Sequence, residues 1–235
     1  QRTDLQSKNM SLKPYKSLRH AGYFEGIGGF SLGAHWAGIQ TTYTCEINDF
    51  RHKWLNQLLP NATHERNIIS ATGAYAEIFT GGFPCQDISQ ANTTGAKGID
   101  GARSGLWHEF YRHICGFRPP YVVLENSPML VHRGLATITA QFTAIGYNAE
   151  WQMLSKQSVG FSDERERLFV VAYPHQVGRY ANLRVFNRKS FKACRQKILQ
   201  ADNVQSEFSR MGSLELRRET IARFLQSHDG LPPGL

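Results

Sequence analysis

Short apolar segments alternate along this chain with segments of helical character, and this alternation limits the fold more than any other feature. Alternation of this kind builds a mostly parallel sheet with helices on both faces. The predicted strands are residues 19–24, 41–45, a third strand before Asn67, 75–80, 121–124, 149–154 and 168–173, and the predicted helices are 30–36, 49–59, 104–117 and 134–145. The sequence therefore predicts an α/β fold with a doubly wound, Rossmann-like sheet.

The charge of the chain is unevenly distributed and divides it into regions. The net charge is +8, and residues 176–235 contain 11 Lys and Arg against 5 Asp and Glu. We therefore predict a leader in residues 1–18, a near-neutral α/β domain in residues 19–175 and a basic region in residues 176–235. Such a basic region indicates a polyanionic partner, most often nucleic acid, although a merely soluble basic surface is the alternative.

Several classes of protein do not fit the sequence. No run of about 18 apolar residues is present, so no membrane span is predicted, and no signal-peptide pattern opens the chain. The four cysteines show no CxxC spacing, which argues against a zinc site or a disulfide framework. They are Cys45, Cys85, Cys115 and Cys194. We expect a reduced, intracellular protein, cytoplasmic and associated with the nucleoid if it is bacterial.

A glycine-rich turn separates the first predicted strand from the first helix. Gly26-Ile27-Gly28-Gly29 lets the backbone approach a ligand closely, and the helix that follows offers free N–H groups at its N-terminus. Glu46 ends the second strand about 20 residues later, where a carboxylate typically accepts hydrogen bonds from ribose hydroxyls. A solvated loop carboxylate is the alternative for Glu46.

A second glycine pair precedes a cysteine. Gly81-Gly82 follows a predicted strand, and Pro84 fixes the backbone just before Cys85. This pattern presents a thiol in a loop at a strand end, whereas an ordinary buried cysteine is the alternative. Residues 86–103 then form a long polar loop, which is usually functional in a compact domain.

Two charged motifs complete the set. Glu125-Asn126 ends an apolar strand, so that its carboxylate lies at the carboxyl edge of the sheet, where open α/β folds bind ligands. Arg165-Glu166-Arg167 precedes the last strand. For these arginines a solvated ion-pair network with Glu164 and Glu166 is the alternative to a functional site.

Together these motifs resemble those of the DNA (cytosine-5)-methyltransferases, over roughly residues 19–173. The matching segments are residues 24–30 (FEGIGGF), 82–86 (GFPCQ), 103–107 (RSGLW), 125–126 (EN) and 165–167 (RER). The resemblance implies a class I methyltransferase sheet with a small C-terminal target-recognition lobe. It also implies S-adenosylmethionine as cofactor, double-stranded DNA as substrate and no metal ion, in an enzyme of restriction–modification or phage type.

The resemblance implies a role for each matching residue. Cys85 would add to C6 of a cytosine flipped out of the duplex, forming a covalent intermediate. Glu125 would hold the N3 and N4 edge of the base, Arg165 would favour the thiolate, and Arg167 would brace the site or the DNA backbone. The implied cofactor-binding residues are Phe24, Gly26, Ile27, Gly28, Gly29, Glu46, Ile47, Asn67, Ile68, Phe83, Pro84 and Leu106, and the implied DNA-binding residues are Gln86, Ser89 and Arg103.

The sequence departs from the family pattern at three positions and at its end. Asn67 stands where the family usually has aspartate, Ser127 where it has valine, and Asp163 where it more often has glutamine. The last family motif, an Asn-rich helix start, is not found, so we expect this chain alone to bind S-adenosylmethionine weakly or not at all, and a second chain or a further segment to restore binding and activity. The alternatives are a catalytically silent DNA-binding homologue, one subunit of a split enzyme, and an RNA cytosine-5 methyltransferase.

Overall fold

The computed structural model describes residues 18–84, 106–155 and 164–175. Within them, one seven-stranded sheet runs in the order β3-β2-β1-β4-β5-β7-β6. The strands are β1 (Arg19–Tyr23), β2 (Gln40–Cys45), β3 (Thr63–Glu65), β4 (Ile78–Gly81), β5 (Tyr121–Asn126), β6 (Tyr147–Ser155) and β7 (Glu166–Pro174). The helices are α1 (Gly29–Trp36), α2 (Asp49–Leu58), α3 (Leu106–Phe117), α4 (Leu130–Arg133) and α5 (Leu135–Ala144).

The chain enters the sheet at its middle and winds in both directions. β1 pairs in parallel with β2 on one side and with β4 on the other, and β2–β3 and β4–β5 are also parallel pairs. β7 lies between β5 and β6 and runs antiparallel to both. The strand order therefore reverses between β1 and β4, the point at which open α/β sheets bind ligands. The doubly wound α/β fold predicted from the sequence is confirmed.

An aromatic cluster fills one side of the sheet. Tyr23 of β1 lies 5.3 Å from Phe79 of β4 and 4.8 Å from Phe110 of α3, measured between ring centroids. Trp107 is fully buried beside Phe110. Because side chains alternate along a strand, Ala21 and Tyr23 face this core while His20 and Gly22 face α1. The apolar face of α3 thus packs against β1 and β4.

A smaller core joins α1 and α2. It contains Leu32 of α1 and four residues at or after the middle of α2, namely Trp54, Leu55, Leu58 and Leu59. The indole N–H of Trp54 donates to the carbonyl of Ile27 at 3.0 Å. This bond ties α2 to the glycine turn that precedes α1.

The structure corrects several predicted boundaries. β4 begins at Ile78 rather than at residue 75, and the preceding Glu77 instead accepts hydrogen bonds from the Arg19 backbone and guanidinium. Asn48, not Asp49, caps α2, since its side chain accepts from the Arg51 N–H at 3.1 Å. The predicted helix over 134–145 is preceded by the short helix α4, which the sequence analysis missed.

The described residues contain neither a membrane-spanning helix nor a cluster of metal ligands. None of the helices in residues 18–84, 106–155 and 164–175 combines the length and the apolar character that crossing a membrane requires. In the same ranges, no three His, Cys, Asp or Glu side chains are grouped so that they would hold a metal ion.

The close approach of β4 to α3 gives a testable prediction. A Cβ added at Gly81 would overlap the ring of Phe110, so we expect Gly81→Ala to lower the free energy of unfolding by about 1–3 kcal/mol, as overpacking generally does. The control is Gly116→Ala in α3, where a Cβ would meet no atom within 4 Å and where alanine favours the helix. Denaturant titration of both variants checks this, and a Gly81→Ala protein as stable as wild type would contradict the packing.

Candidate active site

The parallel register brings three of the predicted motifs to one edge of the sheet. Tyr23 of β1 pairs with Gly81 of β4, and Gly81 pairs with Leu124 of β5, so these three strands end level with one another. The segments that follow them are the glycine turn after β1, residues 82–84 after β4 and the Glu-Asn pair at the end of β5. β7 begins at the same edge because Asn126 pairs with Leu168. Residues distant in sequence therefore meet here.

A cavity of about 350 Å³ opens at this edge. The described residues that line it are Gly82, Phe83, Pro84, Glu125, Asn126, Ser127, Arg165 and Arg167. Three of the four predicted catalytic residues and two of the predicted cofactor-binding residues thus share one cavity. The fourth catalytic residue, Cys85, follows Pro84 directly but lies outside the described residues, as do the predicted DNA-binding residues Gln86, Ser89 and Arg103.

Glu125 and Arg167 form an ion pair in this cavity. The Arg167 Nε lies 2.7 Å from Glu125 Oε1, and each side chain is about 30% exposed. Burial raises the pKa of Glu125, while the charges of Arg167 and Arg165 and the Arg167 hydrogen bond act in the opposite direction; the net pKa is above the usual value. This carboxyl therefore holds a proton at a higher pH than an exposed glutamate does.

Asn126 connects the end of β5 to the segment that leads into Cys85. Its side-chain amide donates to the Phe83 carbonyl at 3.1 Å and accepts from the Ser127 N–H at 2.8 Å. Its side chain is buried. The sequence analysis treated Asn126 only as the partner of Glu125 in a motif, because nothing in the sequence shows which backbone groups an amide will contact.

Two small residues allow the segments to approach one another. A Cβ at Gly82 would lie 3.2 Å from Glu125 Oε2, so a larger residue would press on the carboxyl. Ser127, one of the departures from the family pattern, accepts a hydrogen bond from the Met129 N–H at 3.3 Å. The serine hydroxyl thereby supports the turn into α4, which a valine in its place would not do.

The glycine turn has the backbone conformation that its sequence predicts. Gly26 and Gly28 have φ values of 62° and 96°, in the left-handed region that glycine tolerates best. Phe24 also has a positive φ, 53°. A Cβ at Gly26 or Gly29 would meet no atom within 4 Å, so the space above the turn is open to a ligand.

Glu46 braces this turn from the end of β2. Its Oε2 accepts from the Gly26 N–H at 2.8 Å and its Oε1 accepts from the Asn48 N–H at 3.0 Å. Arg51 lies 3.9 Å from the carboxylate. Only 5% of Glu46 is exposed, so the alternative interpretation of a solvated loop carboxylate is wrong. Each oxygen retains a lone pair for a further donor.

The other predicted cofactor-binding residues lie at the neighbouring strand ends. Ile47 is 59% exposed, whereas Ile68 is buried in the main core. Asn67 accepts a hydrogen bond from the Ile69 N–H at 3.1 Å and so forms a local turn. Leu106 begins α3 and, like Phe24, packs partly buried against the core.

Two exposed apolar residues were missed by the sequence analysis. Phe50, in the first turn of α2, and Ile69, in the segment after β3, are 51% and 60% exposed. Arg66 joins the two segments, since it pairs with Asp49 and donates to the Ile47 carbonyl at 3.1 Å. The signal that could have identified Phe50 and Ile69 is an apolar side chain a few residues after a strand end, where a core position is not expected.

Glu25 was also missed, although it lies within the first motif. Its side chain is 4% exposed, and its Oε1 accepts from the Ser31 N–H at 2.8 Å and from the Ser31 hydroxyl at 2.6 Å. The sequence offered no clue, since a glutamate in a turn is normally solvated.

Comparison with known proteins relates the chain to a family. A model of the family described as C-5 cytosine-specific DNA methylase matches residues 18–226. The type II methyltransferase M2.BsuMI of Bacillus subtilis is 30% identical over 158 residues, which cover 63% of this chain and 40% of that protein. M.Sau3AI of Staphylococcus aureus is 28% identical over 181 residues, which cover 64% and 42%. The chain thus spans about two-fifths of the length of these curated relatives.

Solved structures of methyltransferases share the fold. The Entamoeba histolytica methyltransferase EhMeth superposes with a TM-score of 0.58 at 19% identity, covering 72% of this chain and 56% of that one. The S. pombe Dnmt2 methyltransferase gives 0.56 at 18% identity, covering 74% and 57%. The class I methyltransferase sheet expected from the resemblance is therefore confirmed.

The Glu125–Arg167 pair gives a prediction for the titration of the site. Because Arg167 lowers the pKa of Glu125, we expect Arg167→Gln to raise that pKa further, as followed by carbon-13 NMR of the glutamate carboxyls. The control is Arg19→Gln at the opposite edge of the sheet. Arg19 lowers the pKa of Glu77, so this variant should move Glu77 and leave Glu125 unchanged. A Glu125 titration unaffected by Arg167→Gln would refute the pairing.

Proposed function

The chain belongs to the C-5 cytosine-specific DNA methylase family, and from this premise we propose that its protein transfers a methyl group from S-adenosylmethionine to C5 of cytosine in DNA. One observation carries the proposal. Glu125, Arg165 and Arg167 line a single cavity together with Phe83 and Pro84, directly before Cys85 in the chain. The cavity thus groups an acid with a cationic pair, beside the two residues that precede the candidate nucleophile in the sequence.

C5 of cytosine is by itself a poor nucleophile, so the proposed reaction needs a nucleophile of the protein to activate the ring. The thiolate of Cys85 adds to C6, and the electron pair of the C5–C6 double bond becomes available at C5. S-adenosylmethionine, when bound, supplies an activated methyl group to this carbon. Loss of the C5 proton to water then returns an electron pair to the ring, and expulsion of the Cys85 thiolate restores the double bond.

Glu125 and the two arginines would assist at different atoms. A protonated Glu125 can donate to N3 of the ring as negative charge develops there, and the raised pKa of this carboxyl supports that role. Arg167, at 2.7 Å, would hold the carboxyl in orientation. Arg165 would favour the thiolate, since a free cysteine is only a few per cent ionised at neutral pH.

The residues at the ends of β1 and β2 suit the proposed cofactor. Open space above Gly26 and Gly29 accommodates a ligand, and the Glu46 carboxylate has capacity to accept from ribose hydroxyls. The exposed Ile47 offers an apolar contact for an aromatic base. We assign the remaining cofactor contacts to the strand ends and helix start nearby, namely Phe24, Ile27, Gly28, Asn67, Ile68, Phe83, Pro84 and Leu106.

DNA would reach the cavity through residues outside the described part of the chain. Chemistry on C5 and C6 requires that the cytosine leave the base stack, so base flipping is part of the proposal. We assign Gln86, Ser89 and Arg103 to contacts with the flipped base or its phosphates. The basic region, residues 176–235, is assigned to target recognition because of its excess of 11 basic over 5 acidic residues.

Replacement of the nucleophile tests the proposed reaction. We expect Cys85→Ala to abolish transfer of labelled methyl groups from S-adenosylmethionine to mixed-sequence DNA, because the covalent step is removed. Cys115→Ala is the control, since Cys115 lies on α3 away from the cavity and should be dispensable. More than about one per cent of wild-type turnover in Cys85→Ala would refute the nucleophile.

A parallel assay separates the alternatives. Wild-type transfer to transfer RNA but not to DNA would favour an RNA cytosine-5 methyltransferase. DNA binding without transfer to either substrate would favour a silent homologue.

The role of Glu46 is tested by its effect on two ligands. We expect Glu46→Ala to weaken binding of S-adenosylmethionine by about 1–3 kcal/mol, because charged hydrogen bonds to the cofactor and to the glycine turn are lost. DNA affinity should hardly change. Calorimetry with cofactor and fluorescence anisotropy with DNA measure the two quantities, with Glu77→Ala at the opposite edge of the sheet as control. Equal loss of both affinities would make Glu46 purely structural.

A further inference from the structure

Glu25 occupies an unusual position beneath the glycine turn. Its backbone carbonyl accepts from the Gly28 N–H at 3.0 Å, while its side chain turns inward and accepts from both the N–H and the hydroxyl of Ser31. Ser31 lies in the first turn of α1. A carboxyl group of the chain itself therefore holds the N-terminus of this helix, where positive charge from the backbone N–H groups accumulates.

The second carboxyl oxygen of Glu25 has no compensating contact. Oε2 is buried and finds no hydrogen-bond partner among the residues that the structure describes. It lies directly over Gly22 of β1, where a Cβ would overlap it. The absence of a side chain at Gly22 thus provides space under the turn for the Glu25 carboxyl, although a buried carboxyl without a full set of hydrogen-bond partners lowers stability.

The charged and titratable groups around Glu25 do not neutralise it. His20 of β1 is buried between the hydroxyls of Thr41 and Thr80, and burial lowers its pKa to about 3, so it is neutral near pH 7. Glu46, at the end of β2, adds negative charge, and Arg51 of α2 lies beside Glu46. The first turn of α1 contains no acidic residue.

These surroundings determine where the carboxyl titrates. Burial raises the pKa of Glu25 to about 7, the two Ser31 hydrogen bonds oppose the rise, and the charge of Glu46 adds to it. The negative charge of Glu25 therefore appears near neutral pH. The Glu46 carboxylate contacts the glycine turn at the Gly26 N–H, and the Glu25 carboxyl contacts Ser31 in the helix that follows the turn.

We propose that Glu25 is a positioning residue that selects the charge of the bound cofactor. Its carboxylate favours a sulfonium cation at the glycine turn over the neutral thioether that is left after methyl transfer. This inference rests on the proposed function, which supplies the cofactor. During transfer the methyl carbon forms its bond to C5 and the sulfur keeps the electron pair of the broken bond. The cofactor thereby loses its positive charge, and with it the attraction to Glu25.

The same arrangement disfavours anionic cofactors. In dinucleotide-binding folds, the pyrophosphate sits at the N-terminus of the helix that follows the first glycine turn. Here the Glu25 carboxyl already uses the Ser31 N–H of that helix, at 2.8 Å. A phosphate brought to this place would meet a buried carboxyl and would lose one of the donors it needs.

The test compares two ligands of different charge. Dissociation constants for S-adenosylmethionine and S-adenosylhomocysteine are measured by ligand-observed NMR, which also detects weak binding, at about pH 6 and about pH 8. In the wild type, the preference for the sulfonium compound should increase by about three- to tenfold on going to the higher pH, as one partly screened charge provides. In Glu25→Gln the preference should not change with pH, whereas Glu77→Gln, the control, should behave as wild type.

Ser31→Ala provides a second variant that keeps Glu25 in place. Because the Ser31 hydroxyl lowers the pKa of Glu25, removal of the hydroxyl should move the change in ligand preference to higher pH, which a purely structural carboxyl would not produce.

The pH dependence of wild-type stability also has a defined direction. A folded pKa of about 7 against 4.5 unfolded means that stability declines as the pH rises through this range, and Glu25→Gln should not show that decline.

The possible outcomes separate this inference from the proposed function. Suppose that methyl transfer to DNA is observed. The inference alone would then be overturned if the wild-type preference did not depend on pH. It would also be overturned if Glu25→Gln kept the pH dependence of the wild type. Binding of neither compound, with the second chain or further segment supplied, would overturn the proposed cofactor, and the inference with it. The expected result is a pH-dependent preference in the wild type that Glu25→Gln abolishes and Ser31→Ala displaces.

Discussion

The level ending of β1, β4 and β5 is the constraint on which the rest of the site depends. Tyr23, Gly81 and Leu124 stand side by side in the sheet, and each is the last or nearly the last residue of its strand. Parallel strands connected through helices all present their carboxyl ends at one edge. Since β7 is antiparallel, its amino end reaches the same edge, and so Arg165 and Arg167 approach Glu125. The aromatic packing of α3 on Tyr23 and Phe79 keeps two of these strands in place.

At this edge, polar side chains take the place of neighbouring strands as hydrogen-bond partners of the backbone. Strand ends leave N–H and C=O groups unpaired, and leaving them unpaired when buried costs free energy. Glu46 accepts from the N–H groups of Gly26 and Asn48, and Asn126 bonds both to Phe83 and to Ser127. Each of these side chains ties together two segments that the sheet does not connect. Residues of the candidate site therefore also support the loops around it.

The fold class could be predicted from the sequence because the patterns that specify it are periodic and local. Alternating strands and helices, the glycines of the turn and the apolar run of β5 each reflect short-range rules, and all were recovered. The start of β4 and the cap of α2 were misplaced, since Glu77 is held by Arg19, 58 residues away in sequence, and Asn48 competed with an equally plausible neighbour. The burial of Glu25 and the Asn126–Phe83 bond could not be predicted, because both depend on which strands become neighbours.

The two halves of the site differ in charge, and the difference follows from what surrounds each carboxyl. Glu125 is compensated by Arg167 at 2.7 Å and by the charge of Arg165, so its side of the cavity is not negative. Among the described residues, the basic group beside Glu25 and Glu46 is Arg51, at 3.9 Å from Glu46, and Glu25 itself is stabilised by neutral Ser31. A thiolate and a polyanionic substrate are favoured beside the arginines, whereas a cation is favoured beside the glycine turn. The methyl transfer proposed above, from a sulfonium donor to a nucleophile-activated base, fits this division of charge.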